Sequence, residues 1–142
     1  MRNLLPLKEE IDSLKGFLDA SDNVVAAYIF GSFGTEKQTP ISDIDIAVLF
    51  GNKISLMEEL NYAAEISSIL HREDVDVINL NSAPVHIQHQ VLYSGEKIYE
   101  TDIDKVQDFV ENVLEVYHDY EFILKKFRDD YQQGLAEEYL HG

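Results

Sequence analysis

Cysteine is missing from all 142 residues. A disulfide frame, thiolate catalysis and a Cys-type zinc site are therefore excluded. Basic residues are also scarce, with 11 Lys and Arg standing among 27 Asp and Glu, for a net charge of −16. They form no stripe able to release counterions from a phosphate backbone, so neither long nucleic acids nor anionic membranes are expected partners. The excess acid either suits a basic protein partner or only keeps the chain soluble, and charge alone leaves both open. No apolar run approaches the roughly 18 to 20 residues that span a bilayer. The opening Met1-Arg2-Asn3-Leu4-Leu5-Pro6 has no signal-peptide core. A cytoplasmic protein is the expectation.

What is present suffices for a packed core, since 45% of the residues are apolar and 11% aromatic. A chain of this size is expected to form one domain over residues 1–142, with a catalytic core at about 20–100 and a helical segment at about 101–142. Leu7, Ile11, Leu14 and Leu18 recur at helical spacing. Asn23 to Phe30 reads as a buried strand, ended by the turn Gly31-Ser32-Phe33-Gly34. Thr35 to Ser42 is a polar loop. Asp43 to Phe50 is a strand with Asp43, Asp45, Ala47 and Leu49 on one face and Ile44, Ile46, Val48 and Phe50 on the other.

Ser55 and Glu58 form a capping-box pair that opens a helix through Leu56, Leu60, Ala63, Ile66 and Leu70. Asp74 to Leu80 alternates as a third strand. A short helix starts near Pro84 and stops before Gly95, and Lys97 to Glu100 reads as an edge strand. Thr101 with Asp104 is expected to cap a long last helix. Its stripe runs through Ile103, Val106, Val110, Val113, Tyr117, Tyr120, Leu124 and Phe127, with Gly134 ending or interrupting it. Strands and helices mix without βαβ repetition, so the fold class is α+β, a small mixed sheet flanked by helices.

The chemistry is concentrated in a Gly-Ser turn followed, after ten intervening residues, by Asp43-Ile44-Asp45. Residues two apart on a strand share a face, so Asp43 and Asp45 present paired carboxylates with Ile44 buried behind them. Such a pair repels unless a cation sits between its members, and magnesium, which takes oxygen ligands and keeps room for phosphate, is the fitting one. Gly31 lets the backbone approach a phosphate, and turn N–H groups with the Ser32 hydroxyl can hold one. Asp74-Val75-Asp76-Val77 offers a third carboxylate. Asp76, between two valines, is preferred as metal ligand and proton acceptor, while Asp74 at the strand entrance reads as a turn residue. A lone D-x-D usually means solvated charge, and a lone G-S means almost nothing. Here the aspartates interrupt an apolar strand, where unpartnered carboxylates are costly.

The stretch Gly31-Ser32-Phe33-Gly34, then Thr39-Pro40-Ile41-Ser42-Asp43-Ile44-Asp45-Ile46-Ala47-Val48, resembles the GSx10DxD signature of the DNA polymerase β nucleotidyltransferase superfamily. Within it the chain resembles the minimal nucleotidyltransferases of the MntA antitoxin type, over about residues 20–100, including Asp76-Val77-Ile78 and Val91-Leu92-Tyr93-Ser94-Gly95. The resemblance implies a polymerase β-like core. It implies that Asp43 and Asp45 bind two magnesium ions with Asp76 completing the site. Gly31, Ser32 and Ser42 would hold the ATP. It also implies a HEPN-family toxin ribonuclease as partner in a hetero-oligomer, with AMP passed from ATP to a toxin tyrosine. One departure stands out: many relatives carry a basic residue and a glycine where Thr35 and Glu36 stand here. Either Lys37, one place on, supplies that charge, or phosphate binding is weaker.

Two other readings remain beside the enzyme. The chain could neutralise a toxin by masking it without catalysis, or modify a small molecule, although relatives of the latter kind usually carry a second substrate-binding domain. His86 and His89 could share a helical face, but no third metal ligand stands near them. His118-Asp119-Tyr120 lacks the upstream arginine of the toxin's own target motif, since Val113 stands there. Tyr117, Tyr120, Phe127 and Tyr131 are spaced for packing or partner contact. The apolar stripe of the last helix is long for the core it must cover, so either part of it helps to dock the toxin, whose basic surface Glu111, Glu115 and Asp119 would suit, or all of it packs on this domain's own sheet.

Overall fold

The structure is a computed structural model that describes residues 2–38 and 43–141, with side chains as far as residue 133. Its scaffold is a four-stranded mixed sheet. β1 (Val24–Phe30) and β2 (Ile44–Phe50) form the centre, while β3 (Val75–Asn79) and β4 (Glu96–Glu100) form the edges, in the order β3-β2-β1-β4. β1 runs antiparallel to β2 and β4, whereas β2 and β3 are parallel. All seven residues of β1 are buried, as a strand covered on both faces requires.

Each face has its own core. Ile44, Ile46, Val48 and Phe50 point toward α1 (Lys8–Asp19) and α2 (Leu56–Leu70), where they meet Ile11, Leu14, Leu18, Ile66 and Leu70. Ala47 and Leu49 point the other way, with Tyr28 and Phe30, toward Val91 of α3 (Val85–Ser94) and Val106 of α4 (Ile103–His141). The alternation expected for β2 is thus realised, with both faces covered.

The capping box at α2 is present, with Ser55 accepting from the Glu58 N–H. Leu56 and Leu60, expected on the packed stripe, are instead 71% and 55% exposed, because the face that α2 turns inward runs through Glu59, Tyr62, Ile66 and Leu70, with Glu59 accepting from the Asn79 side chain of β3 at 2.8 Å. The cap of α4 also differs from expectation. Asp102 accepts from the N–H groups of Asp104 and Lys105 at 3.1 and 3.2 Å. The Thr101 hydroxyl turns back to the Val24 and Val25 carbonyls, tying the helix start to β1. Ile103 is exposed rather than on the packed stripe. Gly134 does not end α4, which runs on to His141. A glycine inside a helix costs about 1 kcal/mol against alanine, too little to break one this long. The loop residues 39–42, Pro40 among them, lie outside the described residues.

Candidate active site

The parallel pairing of β2 with β3 builds the site. Its register sets Asp45 beside Asp76, so both side chains leave the same face at one end of the sheet. That is the face of Ala47 and Leu49, but beyond their packed cluster. Asp43 stands just before β2, and the neighbouring Ile44 N–H bonds the Asp74 carbonyl at 3.0 Å. Asp74 is taken up by Arg72, whose guanidinium grips both its carboxylate oxygens at 2.7 and 2.5 Å and holds its pKa low. Asp76 has no such partner among the described residues, which separates the two candidates on geometry.

The Asp45 carboxyl is pushed above the usual carboxylate range, first by burial and then by the charges of Asp76 and Asp43, with Arg2 opposing. Like charges that raise one another's pKa are relieved by a cation, and the donors are hard oxygens suited to magnesium. Among the described residues no three metal-ligating side chains converge as a ready-made cage. The carboxylates are near enough to repel, and a cation would draw them together.

Gly31 has φ +80, and a Cβ placed there would collide with the Asp45 carboxylate. Its smallness therefore admits Asp45 as well as any phosphate. Gly34 has φ +77, and a Cβ there would lie 2.7 Å from both the Arg2 side chain and the Asn3 carbonyl. The turn is thus clamped by the start of the chain. Arg2 donates to the Gly31 and Phe33 carbonyls at 2.9 and 2.6 Å and to Ser94 of α3 at 3.1 Å. The Asn3 N–H bonds the Gly34 carbonyl at 2.7 Å.

Sequence reasoning missed Arg2, which is 29 residues from the turn it holds and matches no local motif. It missed Arg72 as well, whose guanidinium lies 5.5 Å from the Phe33 ring centroid. Two of the few cations in this acidic chain are therefore placed around its carboxylates. Burial lowers the Arg2 pKa, while Glu96 and Asp45 oppose that shift.

A cleft of about 610 Å³ opens here, lined by Arg2, Gly31, Ser32, Lys37, Gln90 and Ser94, with Thr35 and Glu36 at its side. Within the turn, the N–H groups of Gly34, Thr35 and Gln38 are bonded to Gln38, Ser32 and Thr35. A slightly larger hollow of about 650 Å³ lies across Arg2 against β4, lined by Leu4, Ile11 and Ile98. It has no glycine turn, so the chemistry selects the cleft at Gly31. Ser42, expected to bind nucleotide, lies outside the described residues.

Residues 12–104 match the polymerase beta nucleotidyltransferase family. The chain belongs to that family. This nucleotidyltransferase is 29% identical over 109 residues to the protein adenylyltransferase MntA of Shewanella oneidensis, covering 77% of each chain. Among solved structures it is similar to a toxin–antitoxin crystal structure with AMP-PNP, at TM-score 0.70 and 28% identity, over 85% of this chain and 96% of that one. It is similar also to a crystal structure of the toxin–antitoxin MntA–HepT, at TM-score 0.66 and 26% identity, over 87% and 96% of the two chains. The nucleotidyltransferase has no helix long and apolar enough to cross a membrane among its described residues. Its His86 and His89 do share a face, which they turn toward tyrosines: His89 stacks on Tyr117 with ring centroids 3.7 Å apart, and His86 on Tyr120 at 6.2 Å.

Proposed function

We propose that this chain is a cytoplasmic protein adenylyltransferase and the antitoxin of a toxin–antitoxin pair, moving AMP from ATP to a tyrosine of a HEPN-family toxin. The observation that carries the reading is the register that sets Asp45 beside Asp76, with Asp43 close by and Gly31 pressed against Asp45. The likeness to a named protein adenylyltransferase, and to a toxin–antitoxin structure with an ATP analogue, supports the substrate and the partner.

Asp43, Asp45 and Asp76 would hold two magnesium ions, which when bound neutralise phosphate charge and orient the reacting oxygens. The chain's own residues do the rest. Gly31 and Ser32 seat the triphosphate at the mouth of the cleft, where the open side of the turn faces the carboxylates. Arg2 holds the Gly31 and Phe33 carbonyls behind the turn, which leaves its other side to the nucleotide. The tyrosine oxygen then bonds to the α-phosphorus, the bond from that phosphorus to the bridging oxygen breaks, and pyrophosphate departs. Asp76 accepts the phenolic proton. Catalysis here is positioning plus charge neutralisation.

The test is to incubate the protein with the toxin encoded beside it, ATP and magnesium, and to weigh the toxin by mass spectrometry. A gain of one or more AMP units on a tyrosine, absent with Asp43→Asn, is expected. An unmodified toxin that is nonetheless inhibited in a stable complex would replace the enzyme with a masking protein.

A further inference from the structure

The apolar seam of α4 outlasts the domain it packs on. Val106, Val110, Val113, Tyr117, Tyr120, Leu124, Phe127 and Tyr131 follow one another in alternating steps of four and three, the spacing of a two-helix seam. The first five are buried or half-buried. α3 covers this part and runs antiparallel to α4, since His89 meets Tyr117 while the earlier His86 meets Tyr120. His86 lies in the first turn of α3, so beyond Tyr120 the seam has passed the end of its cover. Every residue from Glu121 to Gln133 is exposed, including Ile123, Leu124, Phe127 and Tyr131. A solvated helix has no reason to keep an apolar seam in unbroken register.

We propose that this overhang is a dimer interface, occupied by the same segment of a second copy in antiparallel pairing about a two-fold axis. The charges beside the seam decide the occupant. Glu121 and Arg128 flank it on one edge and have no ion-pair partner within the chain among the described residues. They are two helical turns apart, too far to reach one another along one helix. Let Leu124 meet Phe127 of the second copy, and Tyr120 meet Tyr131 of the second copy. Glu121 of each copy then falls opposite Arg128 of the other. The symmetric pairing makes that contact twice, as a self-complementary surface must. Parallel pairing would instead set Glu121 opposite Val116 and Arg128 opposite Ile123, leaving both charges unmatched. Ile123 widens the apolar strip on the other edge. The surface is distinct from the carboxylate cleft, so this inference does not depend on the transferase reading.

The test is sedimentation equilibrium of the full chain at about 10 to 100 µM, which detects association of micromolar affinity. The wild-type protein is expected at twice the 16.3 kDa chain mass. Glu121→Arg alone and Arg128→Glu alone each set like charges together twice and should weaken the dimer by about tenfold or more. The combined E121R/R128E variant should regain wild-type association, because it restores the pairs with their signs exchanged. Phe127→Glu should give a monomer with unchanged helix content by circular dichroism. A wild-type monomer throughout that range, including one that associates only with its toxin, overturns the proposal. So do single variants that associate like wild type, or a double variant that stays as weak as its parents.

Discussion

The carboxylate end of β2 and the overhanging half of α4 both hold groups that an isolated fold would rather place elsewhere. At the first, Asp45 is partly buried among like charges. At the second, Phe127 and Tyr131 stand 67% and 61% exposed on a seam whose earlier member Val113 is fully buried. The mismatch has opposite signs: charge is drawn inward in one region, and apolar surface is left outside in the other. On the readings proposed above, each region is completed by a complementary species, a cation and nucleotide for the carboxylates and an apolar face for the helix. The site therefore lowers the stability of the free protein for the sake of chemistry, whereas the overhang costs the free chain little and limits its solubility.

The largest effect that would sharpen this contrast is on transfer. Asp43→Asn or Asp45→Asn should lower the AMP-transfer rate by about 10³-fold or more, with the circular dichroism spectrum unchanged. Phe127→Glu should leave ATP binding, measured by calorimetry, within about twofold of wild type. A wild-type transfer rate in either aspartate variant breaks the assignment of the site. Along α4 itself, Val113→Asp puts an unpaired carboxylate into the core. It should cost about 3 kcal/mol or more in urea unfolding, whereas Phe127→Asp, measured where the chain is dilute, should cost less than about 0.5 kcal/mol. Equal costs would mean that the two halves of the helix are equally covered.

Arg2→Ala removes three hydrogen bonds to the turn and Ser94. It should raise the KM for ATP about tenfold with a smaller change in kcat, and Arg2→Lys should recover only part of that, because an ammonium lacks the planar fork. An unchanged KM would make Arg2 a structural residue only. The smallest effect expected is on melting. In metal-free buffer at pH 7, Asp45→Asn should raise the melting temperature by about 2 °C, by removing a charge that is first buried and then repelled by Asp76 and Asp43. The Asp45 pKa is raised in the folded state, so the folded chain takes up this proton more readily than the unfolded one. The penalty is therefore full above the carboxylate range and fades as pH falls through the raised pKa, and the gain of the variant should shrink on acidification. A gain that grows at low pH would reverse the sign of the argument.

Most of the fold could be read in advance from local pattern. Among the described residues, the four strands and four α-helices fall where periodicity and turn residues put them, because period-two and period-3.6 burial leave direct marks on sequence. The departures lie where a local signal had a distant competitor. Thr101 reads as a cap, but its hydroxyl is drawn to the Val24 and Val25 carbonyls, and Asp102 takes the capping role. Leu56 and Leu60 fit the helical stripe, but the face packed on the sheet is the one carrying Tyr62, Ile66 and Leu70.

The sequence by itself determined which carboxylates lie together at the start of β2, since Asp43 and Asp45 flank its first residue, Ile44. It also determined the direction of the α4 seam, since a helix repeats its faces wherever it lies. Only the tertiary structure could set Asp76 beside Asp45, through the β2–β3 register, while Arg72 engages Asp74 just before β3. Only it could bring Arg2 behind the Gly31 turn, and show that α3 stops covering α4 at Tyr120. These are long-range facts, set by how whole elements pack, and side-chain periodicity records which face an element buries but not where its neighbour ends.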